Sequence, residues 1–232
     1  MLYARFVDLG TNRMSELSHR SFLFDGPVGR LEALLWSSDA AGASRAAVVC
    51  HPHPVFGGTL HNKVVYQTAK TLHERGLPVL RFNFRSAGLS EGVHDRGRGE
   101  QDDVRAAVDL MSREYPGLPI LLAGFSFGSW VGSKVAVADD RVKEFIGLGL
   151  PVNDSDLTAL RQFAKPKLFI QGGRDGFGSP DNVEALFASL PEPKRLVFVE
   201  AADHFFTGRL AEVSTAINSW LDQLDSSRHI TT

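Results

Sequence analysis

The sequence predicts a mostly parallel α/β sheet with helices on both faces, and three observations predict it. From residue 46 onward, short apolar runs alternate with stretches of helical spacing. A serine flanked by glycines stands where one apolar run ends and the next helix begins, at Gly124-Phe125-Ser126-Phe127-Gly128. Two later apolar runs end on chemistry-bearing residues, Asp175 and His204. In open sheets of this class, ligands and reactive groups gather beyond the carboxyl ends of the strands.

Residues 19–25 and 29–37 are strand-like and separated by Gly26-Pro27, a turn signal, so they read as a hairpin or edge pair. Residues 46–50 are wholly apolar and read as a buried strand. Helical spacing follows over 61–75 through Val64, Val65, Thr68, Ala69 and Leu72, with Gly76 as the stop. A strand is expected over 78–84, a helix over 100–114 with Val104, Ala107, Val108 and Met111 on one face, and a strand over 119–123 that enters the pentad. Beyond it come a helix over 128–138, a strand over 142–150, a short helix over 155–163 and a strand over 167–171. A helix over 180–190, a strand over 195–200 and a last helix over 209–224 complete the pattern. With no linker or internal repeat, residues 19–232 are expected to form one domain, and 1–18 an N-terminal arm or a start-site extension with Met14 as the alternative start.

Composition excludes several function classes. The 232 residues are 43% hydrophobic, enough for a substantial core. The 25 basic and 27 acidic residues are mixed along the chain, which argues against nucleic acid or an anionic membrane as partner. Cys50 is the single cysteine, so no intramolecular disulfide can form. No apolar stretch approaches the ~18 residues of a membrane span, and residues 1–18 lack the pattern of a signal peptide, so a cytoplasmic location is expected.

The pentad fits G-x-S-x-G, in which glycines permit a sharp strand-to-helix turn that holds the serine proud of the sheet. A serine hydroxyl is a weak nucleophile at neutral pH. It needs an imidazole to take its proton and a carboxylate to orient that imidazole, and Ser126, Asp175 and His204 occur in that order at three strand ends. Asp154 and Asp156, after the 142–150 strand, are the alternative acid. His51, His53 and His61 raise the question of a metal hydrolase, but no carboxylate falls in register with them and Pro52 and Pro54 restrict their approach; no metal or organic cofactor is expected. Gly147-Leu148-Gly149 lacks the third glycine of a dinucleotide site. Glu100, Asp102 and Asp103 open a helix and are expected to serve the scaffold by pairing with Arg81 or Arg85.

Together these residues resemble the α/β-hydrolase superfamily from about residue 19 to 224. Within it the chain is similar to small cap-less bacterial serine hydrolases, through His51-Pro52-His53-Pro54, Gly57-Gly58, Asn62-Lys63, Arg81-Phe82-Asn83-Phe84-Arg85 and Gly88-Leu89-Ser90. The resemblance implies the α/β-hydrolase fold and an oxyanion hole built from the backbone N–H groups of Phe127 and His53. Pro52 stands where the commoner form of the motif has glycine. The activity implied is hydrolysis of a small-molecule carboxylic ester through an acyl-enzyme. Thioesterase or peptidase action on the same machinery, or a binding protein without turnover, are the alternatives. Residues 151–165 leave no room for a lid, so a short acyl group is expected between Val55, Phe56, Val152, Phe177 and Phe205.

Overall fold

A computed structural model describes residues 19–39 and 42–229; the expected arm over 1–18 lies outside them. In chain order the elements are β1 (His19–Asp25), β2 (Arg30–Trp36), β3 (Ala46–Cys50), α1 (Lys63–Glu74), β4 (Val79–Phe82), α2 (Gly99–Glu114) and β5 (Ile120–Phe125). They continue with α3 (Phe127–Ala138), β6 (Val142–Leu148), β7 (Lys167–Gly172), α4 (Pro180–Ala188), β8 (Lys194–Val199) and α5 (Leu210–His229). All eight strands form one sheet in the order β1-β2-β4-β3-β5-β6-β7-β8. The β1–β2 hairpin joins β4 in antiparallel fashion, and every later pairing is parallel.

The central strands are apolar throughout because both of their faces are covered. Ala46, Val48 and Cys50 of β3 and Ile120 and Leu122 of β5 face α2 and α3, packing with Val104, Val108, Met111, Val131 and Val135. Their alternates, Ala47, Val49, Leu121, Ala123 and Phe125, face α1 and α5, packing with Val64, Leu72, Ile217 and Trp220. Asn62 starts α1 by accepting the Val64 N–H at 2.9 Å. Gly76, at φ +82°, lets the chain leave that helix in the left-handed region.

Several elements differ from their expected bounds for local reasons. The strand expected over 78–84 stops at Phe82, the last residue paired with both Ala33 of β2 and Cys50 of β3. The helix expected over 155–163 is a 3₁₀ turn, Thr158–Gln162. There the Asp156 carboxylate takes the Thr158 N–H at 2.8 Å and its hydroxyl at 2.6 Å, a side-chain competitor to helical bonding. The last helix outruns residue 224 and reaches His229. Its acidic residues are anchored, Asp222 by Arg75 and Asp225 by Arg75 and buried Arg45, which also binds Glu144 of β6 at 3.2 Å.

Of the two arginines expected as partners of the α2 acids, Arg81 is not the one that reaches them. Its guanidinium stacks 4.4 Å from the Trp36 ring and 5.3 Å from Tyr66, and donates to Leu60 O at 3.0 Å. Arg85 is the residue that reaches the α2 acids, gripping Asp103 through Nε and Nη2 at 2.7–3.1 Å. Alternation along β4 turns Arg81 to the α1 side with Val79, and it would turn Arg85 the same way, but the strand ends at Phe82 and the chain beyond it carries Arg85 to Asp103 of α2.

No domain is inserted between β6 and β7. From β3 the chain moves outward to β4, then returns across β3 to β5 and proceeds the other way. The carboxyl ends of β3 and β5 therefore form a topological switch point, the place where open α/β sheets leave a crevice.

Candidate active site

Ser126 sits at that crevice, one residue beyond β5, at φ +54° and ψ −120°. A non-glycine residue reaches this region only at a cost, of order 1–3 kcal/mol, that the surroundings must enforce. They do so by packing the turn so tightly that its glycines cannot change. A Cβ on Gly124 would strike the carbonyl of Gly128, and one on Gly128 would lie 2.5 Å from His51 O and 2.6 Å from Cys50 O. The Ser126 N–H is tied to Leu148 O at 2.9 Å, and its carbonyl starts α3 by accepting from Ser129 N at 2.8 Å. Among the described residues, the N–H groups of Phe127 and Gly128 have no acceptor, as expected in a first helical turn.

His204 reaches this serine from the loop after β8, with Nε2 2.9 Å from Ser126 Oγ. Its Nδ1 lies 2.8 Å from Asp175 Oδ2, in the loop after β7. Both side chains are buried, so little water competes for the contact. Asp175 Oδ1 accepts the N–H groups of Phe177 at 2.8 Å and Gly178 at 3.3 Å. Of the alternative acids, Asp156 spends its carboxylate on Thr158 and Asp154 is exposed; the carboxylate that meets His204 is Asp175.

Three supporting residues escaped the sequence reading. Gln171, fully buried on β7, donates Nε2–H to Asp175 Oδ2 at 2.8 Å and to Gly178 O at 2.9 Å, and accepts the Leu150 N–H at 2.7 Å. That last bond fixes which way the amide points: turned over, it would set oxygen against two acceptors. The signal was a polar residue inside an otherwise apolar strand, Leu168-Phe169-Ile170-Gln171. Gly149, at φ +52°, forms the floor under the imidazole, since a Cβ there would lie 3.2 Å from His204 Cε1 and 2.9 Å from Phe125. His94 covers Phe127 at 5.7 Å between ring centres, its Nδ1 2.7 Å from Glu100 Oε1. Glu100 also holds the N–H groups of Asp95 at 2.9 Å and Gly97 at 2.8 Å.

The loop after β3 carries the other donor expected from the sequence. His51 is fully buried, its Nε2 accepting the Phe84 N–H at 2.9 Å and its Nδ1 donating to Pro52 O at 2.6 Å. Burial pushes its pKa down to about 4, against a smaller opposing contribution from the Pro52 bond, so the ring is neutral at pH 7. Both nitrogens are engaged with backbone, which leaves no lone pair for a metal. His53 Nδ1 accepts the Val55 N–H at 3.3 Å, and its own backbone N–H has no acceptor among the described residues. Its pKa is lowered, mainly by burial and next by the charge of His94. The His53 ring packs 4.8 Å from Phe127 and 4.6 Å from Phe56.

The five expected wall residues fall in the loops that follow β3, β6, β7 and β8. Val55 and Phe56 are largely exposed beside His53, while Phe177 and Phe205 stand half-exposed against His204. Val152 is partly buried and packs against the core. Hollows elsewhere, against Arg195 and Glu212 or beside Gly117 and Arg141, lie away from Ser126 and hold no comparable constellation. Among the described residues, no helix is long and apolar enough to cross a membrane.

Comparison with known proteins agrees with this fold. Residues 46–231 match the family described as an alpha/beta hydrolase domain. An uncharacterised protein of Rickettsia prowazekii is 35% identical over 215 residues, which cover 89% of this chain and 90% of that protein. The structure of an alpha-beta serine hydrolase homologue from Coxiella burnetii is 38% identical with a TM-score of 0.80, covering 88% of this chain and 97% of that one. A Xanthomonas campestris protein, described as a serine hydrolase without lid, is 34% identical with a TM-score of 0.82, covering 92% and 98% of the two chains.

Proposed function

Since the chain belongs to the alpha/beta hydrolase domain family, we propose that it is a carboxylesterase acting on small-molecule esters of short acyl chains. The observation that carries the reading is the hydrogen-bonded line Ser126 Oγ, His204 Nε2, His204 Nδ1, Asp175 Oδ2, with spacings of 2.9 and 2.8 Å. Ser126 Oγ attacks the ester carbonyl while His204 Nε2 accepts its proton; Asp175 holds the ring and offsets the charge it gains. The carbonyl oxygen becomes an oxyanion received by the Phe127 and His53 N–H groups, at the positive end of α3. Collapse expels the alcohol, which takes the proton from His204. Water, deprotonated by the same imidazole, then releases the acid from the acyl-enzyme.

The absence of an inserted lid supports the short-chain preference. Each methylene left in water forfeits about 0.8 kcal/mol of binding, and Val55 and Phe56 are themselves largely in solvent. The test is a rate series of nitrophenyl esters from acetate to palmitate, with a fluorophosphonate probe to label the nucleophile. Labelling at Ser126, loss of turnover by about 10⁴-fold or more in Ser126→Ala, and a maximum between acetyl and butyryl are expected. Turnover surviving in Ser126→Ala would overturn the assignment, and a maximum at ten carbons or longer would overturn the short-chain reading.

A further inference from the structure

The two halves of an ester meet different chemistry on the two sides of Ser126. In the reading above, the alcohol oxygen leaves with the proton of His204 Nε2, so it must approach that nitrogen to hydrogen-bond distance, about 2.6–3.2 Å. The alcohol half therefore lies on the flank of the sheet occupied by the β7 and β8 loops. The acyl half points the other way, toward the β3 and β4 loops that carry His53, Phe56 and His94.

On the His204 flank the imidazole is surrounded by phenyl rings. Phe177 is 4.5 Å away between ring centres and tilted by 45°; Phe205 is 5.2 Å away and edge-on at 80°. Phe125 lies 5.1 Å from the imidazole and is fully buried. Phe125 is committed to the core, but Phe177 and Phe205 remain 49% and 45% exposed. Both are held in place by their backbones: the Phe177 N–H binds the Asp175 carboxylate at 2.8 Å, and the Phe205 N–H binds Asp203 Oδ1 at 3.1 Å. Single exposed apolar side chains are ordinary on protein surfaces. Here two aromatic rings, each with roughly half its surface free, stand against the one imidazole that must protonate the leaving group.

We propose that Phe177 and Phe205, expected from the sequence to wall the acyl group, instead form a leaving-group subsite for aromatic alcohols, which makes aryl-bearing alcohol esters the favoured substrate class. An aromatic ring attached near the alcohol oxygen can stack offset or edge-on against these rings, at the 4.5–7 Å centroid separations such pairs adopt. An aliphatic ring of the same size gains the area burial but lacks the quadrupole term. The inference rests on the esterase reading and identifies the alcohol half of its substrate. The chemical step is unchanged: the Ser126 Oγ–acyl bond forms, the acyl–oxygen bond to the alcohol breaks, and the departing oxygen carries away the proton of His204.

Benzyl acetate and cyclohexylmethyl acetate provide the test, because they share acyl group, carbon count and a primary alkoxide leaving group of similar basicity. Cyclohexylmethyl exposes slightly more apolar surface, so area burial alone gives a benzyl to cyclohexylmethyl ratio of kcat/KM at or below one. The aromatic subsite gives a ratio of roughly 2- to 13-fold, the equivalent of one favourable ring pair. In Phe177→Leu and Phe205→Leu, whose folding is followed by thermal denaturation, the ratio is expected to fall toward one. A wild-type ratio at or below one, or a high ratio unchanged in both folded variants, would overturn the subsite. If Ser126 is labelled and esters are turned over, those results leave the esterase reading intact; if no ester is cleaved and Ser126 is not labelled, both readings fall.

Discussion

Acidification should unfold this protein partly through His51, and the structure gives the size of the effect. The imidazole is fully buried, and its pKa is lowered from the ordinary 6.5 to about 4. The unfolded chain therefore takes up the proton first as pH falls. Stability from this group is complete above pH 6.5 and is lost as pH falls through the window down to about 4. A depression of that size is worth about 3 kcal/mol, at 1.36 kcal/mol per pH unit. The local cause is visible: a proton on Nε2 would face the Phe84 N–H, turning an acceptor into a second donor. Other groups titrate on acidification as well. Asp103, whose pKa is raised chiefly by burial, contributes a slope of opposite sign, so a variant difference is needed to isolate His51. His51→Asn removes the titrating group, and urea unfolding followed by tryptophan fluorescence at intervals from pH 7 to 4 gives both stability curves. The variant should be less stable at pH 7, with the gap closing by about 3 kcal/mol toward pH 4. Parallel curves across that window would refute the assignment of a neutral, proton-resisting His51.

Two further outcomes are expected from the packing around the nucleophile. Gln171→Met leaves the Leu150 N–H and Gly178 O unpaired and removes one of the donors that hold Asp175 Oδ2, so it should lower the melting temperature and reduce kcat by up to ~10²-fold with KM little changed; an unchanged kcat in the folded variant would make the amide a scaffold element only. Gly128→Ala forces a Cβ against His51 O at 2.5 Å and should cost about 1–3 kcal/mol, whereas Gly132→Ala in the same helix meets nothing nearer than 3.5 Å and should be neutral or slightly stabilising. Equal melting temperatures for the two alanine variants would show that the nucleophile turn has room to relax.

What the sequence by itself determined was the part dictated by local geometry. A strand buried on both faces must be apolar along its length, and a tight strand-to-helix turn leaves no room for a Cβ two residues before or after its serine, so β3, β5 and the pentad are legible directly. Asp175 and His204 were legible because each follows its strand within a few residues, and the strand end is where such folds place their chemistry. The tertiary structure alone decided which buried polar groups meet. Gln171 binds Asp175 and Leu150 because β6 and β7 are neighbours, and His51 is neutral because β3 lies between β4 and β5, where water does not reach. Asp103, not its neighbours Glu100 and Asp102, receives Arg85, and Arg81 finds aromatic rings instead of a carboxylate. Such pairings depend on sheet order and on the direction of each side chain, and a buried polar group takes whichever partner the surrounding elements bring within about 3 Å.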